Sequence, residues 1–161
     1  MGLRCLTPDQ LQRIESTLAG LTDSDRDALI AQLRIGVQWN TEVTLPGAGH
    51  RVTQVYCSAL PITYSHIPTD KWERFAQLIL DATYEATLTC AALNAQHSSN
   101  RMVFLTPLGG GAFGNPEPWI IDAVSRSLAV FASTDLHVAM VSYGQSIAAI
   151  QSLVEQYPPA A

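Results

Sequence analysis

Four glycines fall within six residues: Gly109, Gly110, Gly111 and Gly114, interrupted only by Ala112 and Phe113 and followed by Asn115. Glycine lets a backbone approach a ligand closely and turn its N–H groups toward it. The loop follows a short apolar run, Met102 to Thr106, and precedes a helical pattern that opens Pro116-Glu117-Pro118. A strand-to-helix turn of this kind lies at the carboxyl edge of a parallel sheet, where α/β proteins hold ligands. The following helix adds its positive N-terminal end. The chemistry expected is a diphosphate held by backbone N–H groups without a lysine. The alternative is a tight loop with no ligand, but such a turn needs one or two glycines rather than four.

Two nucleotide motifs compete for the loop. Gly109, Gly111 and Gly114 fit GxGxxG, but a dinucleotide dehydrogenase wants an acidic residue near the end of the next strand. That strand ends Val141-Ser142-Tyr143-Gly144, with no carboxylate. No Gly-Lys-Ser/Thr follows the loop either, which removes the Walker A reading. Glu117 could approach a ribose, although a carboxylate at a helix start is ordinary dipole compensation. Asp81 and Glu85 lie one helical turn apart, as a paired-carboxylate site or, more commonly, a solvated face. His50, His66, His97 and His137 are scattered, and only His66, in a loop bracketed by Pro61 and Pro68, is worth testing as a ligand.

The composition narrows the partners. The chain has 161 residues, 17.4 kDa, 47% apolar and only 14% charged, with a net charge of −5. Lys71 is the only lysine and no basic cluster exists, so nucleic-acid binding is not expected. Charged residues usually make up about a quarter of a chain; the shortfall here leaves surface for a partner or a cleft. Cys5, Cys57 and Cys90 form no CxxC and no ligand cluster, so no disulfide framework, metal or cofactor is expected. Reduced thiols, no signal peptide and no long apolar run point to an intracellular, cytoplasmic protein without a membrane span.

The elements that must position the loop are readable from period and caps, and they predict one domain over 1–161, with a helical pair at 7–34 and an α/β core at 35–157. Thr7-Pro8 and Thr22-Asp23 open two helices. Residues 35–44 alternate as a strand, with Val37, Trp39 and Thr41 on one side. Leu45 to Gly49 turns the chain, and 50–59 pairs back as a hairpin. A long helix starts at Thr69-Asp70 and runs to about Gln96, with Trp72, Phe75, Ile79, Ala82, Ala86, Cys90 and Leu93 on its apolar face. Two continuous apolar runs, 102–106 and 136–141, read as strands of a mainly parallel sheet. The helix between them turns Trp119, Ile120, Ala123, Val124, Leu128 and Phe131 inward, and a last helix spans 146–157.

Phe104-Leu105-Thr106, the loop Gly109 to Asn115, and the later Val141-Ser142-Tyr143-Gly144 together resemble the ADP-ribose-binding macrodomain superfamily, in the branch related to poly(ADP-ribose) glycohydrolase. Val52 to Tyr64 and the helix bearing Tyr84-Glu85-Ala86-Thr87-Leu88 fit the same branch, so the resemblance covers about 50–157. It implies a three-layer α/β/α fold, ADP-ribose or an ADP-ribosylated protein as partner, and a diphosphate on Gly109, Gly110, Gly111, Ala112, Phe113, Gly114 and Asn115. Phe113 would lie against the distal ribose and Tyr143 would stack on adenine. The family's earlier ligand loop, with its Asn and second glycine run, has no counterpart here, and the resemblance therefore implies a domain truncated on its N-terminal side. ADP-ribosyl hydrolysis would require the missing half to be supplied, and no catalytic residue can be named. In the family's order an early strand lies between the strands near 52–57 and 102–106. Its absence implies free strand edges, and with them a two-fold homodimer. The alternative function is a non-catalytic structural or interaction fragment, with a nicotinamide dehydrogenase as a distant third.

Overall fold

The computed structural model describes residues 6–157. Cys5 lies outside the described residues. Two capped helices come first, α1 (Pro8–Ala19) and α2 (Asp23–Ile30). Both open with a capping box: the Thr7 hydroxyl accepts from Gln10 N–H while the Gln10 side chain accepts from Thr7 N–H, and Thr22 and Asp25 repeat the arrangement. The caps are satisfied within one turn, which is why they were legible in the sequence.

A hairpin follows, β1 (Gly36–Glu42) antiparallel to β2 (Arg51–Tyr56). The simple alternation expected for 35–44 breaks at its centre. The register slips between Gln38 and Thr41, Asn40 takes φ +52°, and Trp39 is exposed rather than packed with Val37 and Thr41. One extra residue on β1 forms a bulge, which turns the side chains beyond it to the other phase.

The long helix α3 (Glu73–Ser98) is preceded by a 3-10 turn, Thr69–Trp72, so Thr69 opens that turn rather than the helix itself. α3 is the central packing element, as its apolar content predicts, but the face it buries deepest differs from the expected one. Leu80, Tyr84 and Leu88 form that line; of the expected residues Trp72, Ala82 and Cys90 are buried, Phe75, Ile79 and Ala86 are half-buried and Leu93 is exposed. The reason is that α3 contacts neighbours on several sides. Leu80, Tyr84 and Leu88 join the main core with Val103, Leu105, Ile120, Ala123 and Val124. Ala76 packs with Leu11, Ile62 and Trp72, and Leu78 and Ala82 pack with Ile30. Each fully buried leucine contributes about 1.5–3 kcal/mol of transfer free energy.

The remainder is β3 (Met102–Leu105), α4 (Glu117–Val130), β4 (His137–Met140) and α5 (Ala148–Gln156). β3 and β4 pair in parallel, Met102 opposite His137 through Leu105 opposite Met140. α4 buries Ile120, Ala123 and Val124, with Trp119, Leu128 and Phe131 packed against the same core, as expected. The chain is therefore mixed α/β. The single, mainly parallel sheet expected from the alternation of strands and helices is not what forms: the described residues make two two-stranded sheets, β1–β2 and β3–β4. Nor is β3 buried on both faces. Val103 and Leu105 are buried, but Met102 is 50% and Phe104 68% exposed. A continuous apolar run cannot say how many of its faces are covered.

Asp81 and Glu85 act neither as a carboxylate pair nor as a solvated face. Asp81 is 2% exposed, paired with Arg26 of α2, and accepts from Gln77 Nε2 at 3.0 Å. Glu85 accepts from Arg126 of α4 at 2.7 Å, and the same guanidinium reaches Asp27 of α2 at 2.7 Å. Burial alone would pull Arg126 down, but the Glu85 hydrogen bond and the charges of Asp81, Glu85 and Asp27 hold it above its usual value. Arg26 and Arg126 thus tie α2 and α4 to α3. Replacing Asp81 by Ala strands the half-buried Arg26 guanidinium. The expected loss is about 2 kcal/mol, below the range for fully buried pairs because Arg26 keeps some solvent. Guanidinium denaturation of the D81A variant measures it, and an unshifted midpoint would show that the pair contributes no net stability.

Candidate functional site

The glycine loop leaves the carboxyl end of β3 and is held from three sides. From below, the Tyr84 hydroxyl of α3 donates to Thr106 O at 2.7 Å and accepts from Leu108 N–H at 2.8 Å. A tyrosine on a buried helix face needs such partners for its hydroxyl. Burial pushes its pKa up to about 12, against the opposing effect of the Leu108 N–H bond. From the side, the Thr63 hydroxyl donates to Ala112 O, and the Tyr64 ring meets Phe113 edge-on at 6.0 Å between centroids. Across the loop, Asn115 closes it: its backbone N–H and its Nδ2 both donate to Gly109 O, at 2.9 and 3.0 Å, and Nδ2 also reaches Leu60 O at 2.8 Å. The Asn115 side chain is therefore engaged inside the protein, with its Oδ1 buried and without a partner among the described residues.

The four glycines have different reasons to be glycine. Gly109 has φ +84°, and a Cβ there would lie 2.5 Å from Ala59 Cβ. Gly114 has φ +70° and no room against Thr63 Cγ2. Both are required by the fold of the loop itself. Gly110 has an ordinary φ, and its Cβ would make only van der Waals contacts. Gly111 has φ +58° with nothing within 4 Å of a Cβ, so its left-handed backbone faces open space. Gly111 and Ala112 are exposed, and their consecutive N–H groups have no acceptor among the described residues.

Tyr143 comes to the same edge. Val141 N–H donates to Leu105 O at 2.7 Å, so the chain leaves β4 beside the point where it leaves β3. Beyond it Tyr143 is fully exposed, next to Gly144 at φ +77°. The structure thus brings the loop and Tyr143 to one sheet edge. Among the described residues the surface carries a groove between β2 and β3, a hollow between α1 and the 64–74 segment that includes His66, and a depression over Arg26, Asp81 and Arg126. None of the three is lined by Gly109 to Asn115 or by Tyr143. Glu117 is exposed at the first turn of α4.

Cys57 and Cys90 are free thiols, and burial pushes both above the usual value, with a Thr87 hydroxyl contact opposing the shift at Cys57. Neither is poised as a thiolate nucleophile. No group of three His, Cys, Asp or Glu that could hold a metal occurs among the described residues. Compared with protein-family models, curated proteins and solved structures, the chain matches none.

Thr63 and Ala59 escaped sequence reasoning because they reach the loop from about fifty residues away. Tyr84 carried one signal: a polar-tipped aromatic inside an apolar helical stripe. Tyr84→Phe leaves Thr106 O and Leu108 N–H without this partner and is expected to cost about 1–2 kcal/mol at neutral pH. The raised pKa adds a pH signature. The folded state keeps the tyrosine proton to about pH 12, whereas the unfolded chain releases it near 10.0. Wild-type stability should therefore fall between those values relative to Y84F, as followed by denaturation from pH 8 upward. A constant difference across that window would mean that the hydroxyl is not held protonated by the fold. Gly109→Ala should destabilise more than Gly111→Ala, because only the former adds a clash to the positive φ; thermal melts of the two variants rank them.

Proposed function

We propose that the protein binds ADP-ribose, or the ADP-ribosyl group of a modified protein, at the shared exit of β3 and β4. The observation that carries the reading is the pair of unengaged N–H groups at Gly111 and Ala112 on an exposed left-handed turn. Backbone N–H groups in such a turn form a concavity suited to phosphate oxygens. Phe113, braced by Tyr64, offers an apolar edge to a ribose, and Tyr143 offers a free ring to a base. A base stacked on that ring is worth about 1–3 kcal/mol. The macrodomain resemblance supplies the order of these parts along the nucleotide; the absence of a carboxylate after β4 disfavours NAD. The reading is of binding. Hydrolysis needs a group within hydrogen-bond reach of the scissile bond, and Glu117 is the only carboxylate on the loop's own helix turn.

A second reading, an interaction module without a nucleotide, has one observation in its favour. Trp39, Tyr56, Met102 and Phe104 are all exposed on the two sheets.

Titration calorimetry with ADP-ribose, AMP and NAD separates the readings. ADP-ribose should bind more tightly than NAD, and Gly111→Val should abolish binding; a Cβ at 111 meets nothing inside the protein, but φ +58° strains a β-branched residue, so circular dichroism and a thermal melt of the variant establish that it is folded before its affinity is read. Equal or tighter NAD binding, or unchanged affinity in G111V, would refute the site. The chain alone should not turn over an ADP-ribosylated substrate; turnover lost in Glu117→Gln would make it an enzyme instead.

A further inference from the structure

Between α1 and the 64–74 segment lies a hollow of about 1030 Å³, the size of a small-molecule site. It is where the structure places His66, the one histidine that the sequence singles out as a possible ligand. One wall is a single face of α1, on which Leu11, Glu15 and Ala19 follow one another at four-residue steps. The opposite wall runs from Tyr64 through Ile67-Pro68 to Arg74 in the first turn of α3. Leu6, Pro8, Leu11, Tyr64, Ile67 and Pro68 supply its apolar surface.

The charged groups on the rim are not equally engaged. Glu15 accepts from Arg74 N–H at 3.3 Å and from Phe75 N–H at 2.8 Å, so both of its oxygens serve the start of α3, which has no side-chain cap from its own N-cap residue. Asp70 has Lys71 at 3.4 Å. The Arg74 guanidinium, by contrast, is 59% exposed, and the carboxylate it meets, Glu15, is 3.6 Å away, beyond hydrogen-bond length. Its donors, and the ring of His66 on the same rim, have no hydrogen-bond partner among the described residues. The rim thus combines occupied carboxylates with unoccupied donors above an apolar floor.

We propose that this hollow binds a small molecule with an apolar body and one carboxylate, the body lying on Leu11, Tyr64 and Ile67 and the carboxylate on the Arg74 guanidinium. A planar guanidinium offers two parallel N–H groups to a carboxylate. A compact anion such as inorganic phosphate would leave the apolar lining in water, and an uncharged molecule would leave Arg74 unpaired. None of the glycine-loop residues lines the hollow, so the inference does not rest on the nucleotide reading. The two regions touch through one side chain: Tyr64, on the wall of the hollow, meets Phe113 of the loop edge-on at 6.0 Å. A body resting on Tyr64 therefore alters the surroundings of the Phe113 ring, which gives the site a spectroscopic marker.

The probes are octanoate, decanoate and 3-phenylpropionate, each beside its matching primary alcohol. They are titrated into the full chain below the micelle concentration and followed by calorimetry and NMR. At least one acid should bind saturably at one site and shift the resonances of Ile67, Arg74 and the Phe113 ring. Its alcohol, which lacks the charge-assisted hydrogen bonds, should bind about tenfold more weakly. Arg74→Gln should remove that tenfold preference and leave the affinity for the alcohol unchanged. The variant keeps the backbone N–H at position 74 that Glu15 accepts, so the start of α3 stays capped, and an unchanged thermal melt checks this. Inorganic phosphate should not compete. No saturable binding by any of the three acids overturns the proposal. So does an acid that binds no better than its alcohol, that R74Q binds as well as the wild type, that phosphate displaces, or whose shifts map away from the hollow. Binding that appears only once residues 1–5 are deleted would make the start of this chain the occupant, and would equally overturn it.

Discussion

The burial of α3 on several sides is the constraint on which the remaining structure depends. Leu80, Tyr84 and Leu88 face the two-stranded parallel sheet and α4, Ala76 faces α1 and the Ile62 turn, and Leu78 and Ala82 face α2. Neither small sheet could hold its own position, since a two-stranded ribbon is marginal in water. Each is kept in place by what it rests on: Val103 and Leu105 in the core beside Leu88, and Thr53 by its hydroxyl on Asn94 at 2.8 Å. A single helix that serves as floor for everything tolerates few exposed faces, and this explains why its apolar residues do not form one narrow stripe.

The same helix carries polar groups where other elements must be fixed in rotation. Asp81 and Glu85 point at α2 and α4 and meet Arg26 and Arg126 there. Tyr84, one residue before Glu85, points the other way and bonds to both sides of the Thr106-Pro107-Leu108 turn. Apolar packing sets distances between elements, but it is indifferent to small rotations. Directed hydrogen bonds from consecutive helix positions remove that freedom. The glycine loop is consequently held by a core residue, Tyr84, by Thr63 and by its own Asn115, and the N–H groups of Gly111 and Ala112 are left without an acceptor among the described residues. A fixed base and an open tip would lower the ordering cost of any ligand bound there.

The two sheets share a floor but not a ladder. Between them the backbone groups of β2 and β3 face a groove, and on their outer side Met102, Phe104, Trp39 and Tyr56 meet solvent. Free edges and uncovered apolar residues are features that folded chains ordinarily avoid or cover. Both occur here on the two sheets rather than on the glycine loop.

Features set by neighbours within one turn were determined by the sequence itself. The Thr7 and Thr22 caps, the hairpin turn with Gly47 at φ +83°, the inward face of α4 and the existence of a glycine loop after a strand all follow from contacts a few residues apart. What depended on distant partners was decided only by tertiary structure. Asp81 meets Arg26 from 55 positions away, and Arg126 reaches Asp27 from 99, so spacing alone could not distinguish a paired-carboxylate site from two separate ion pairs. The four glycines read alike in sequence, yet Ala59 and Thr63 make two of them steric necessities and leave Gly111 facing open space. The apolar run of β3 was readable as a strand, but whether one face or both would be covered depends on what the chain has left to place over it. Periodicity records which residues avoid water; it does not record which neighbour they avoid it with, and that choice is made only when the segments are brought together on α3.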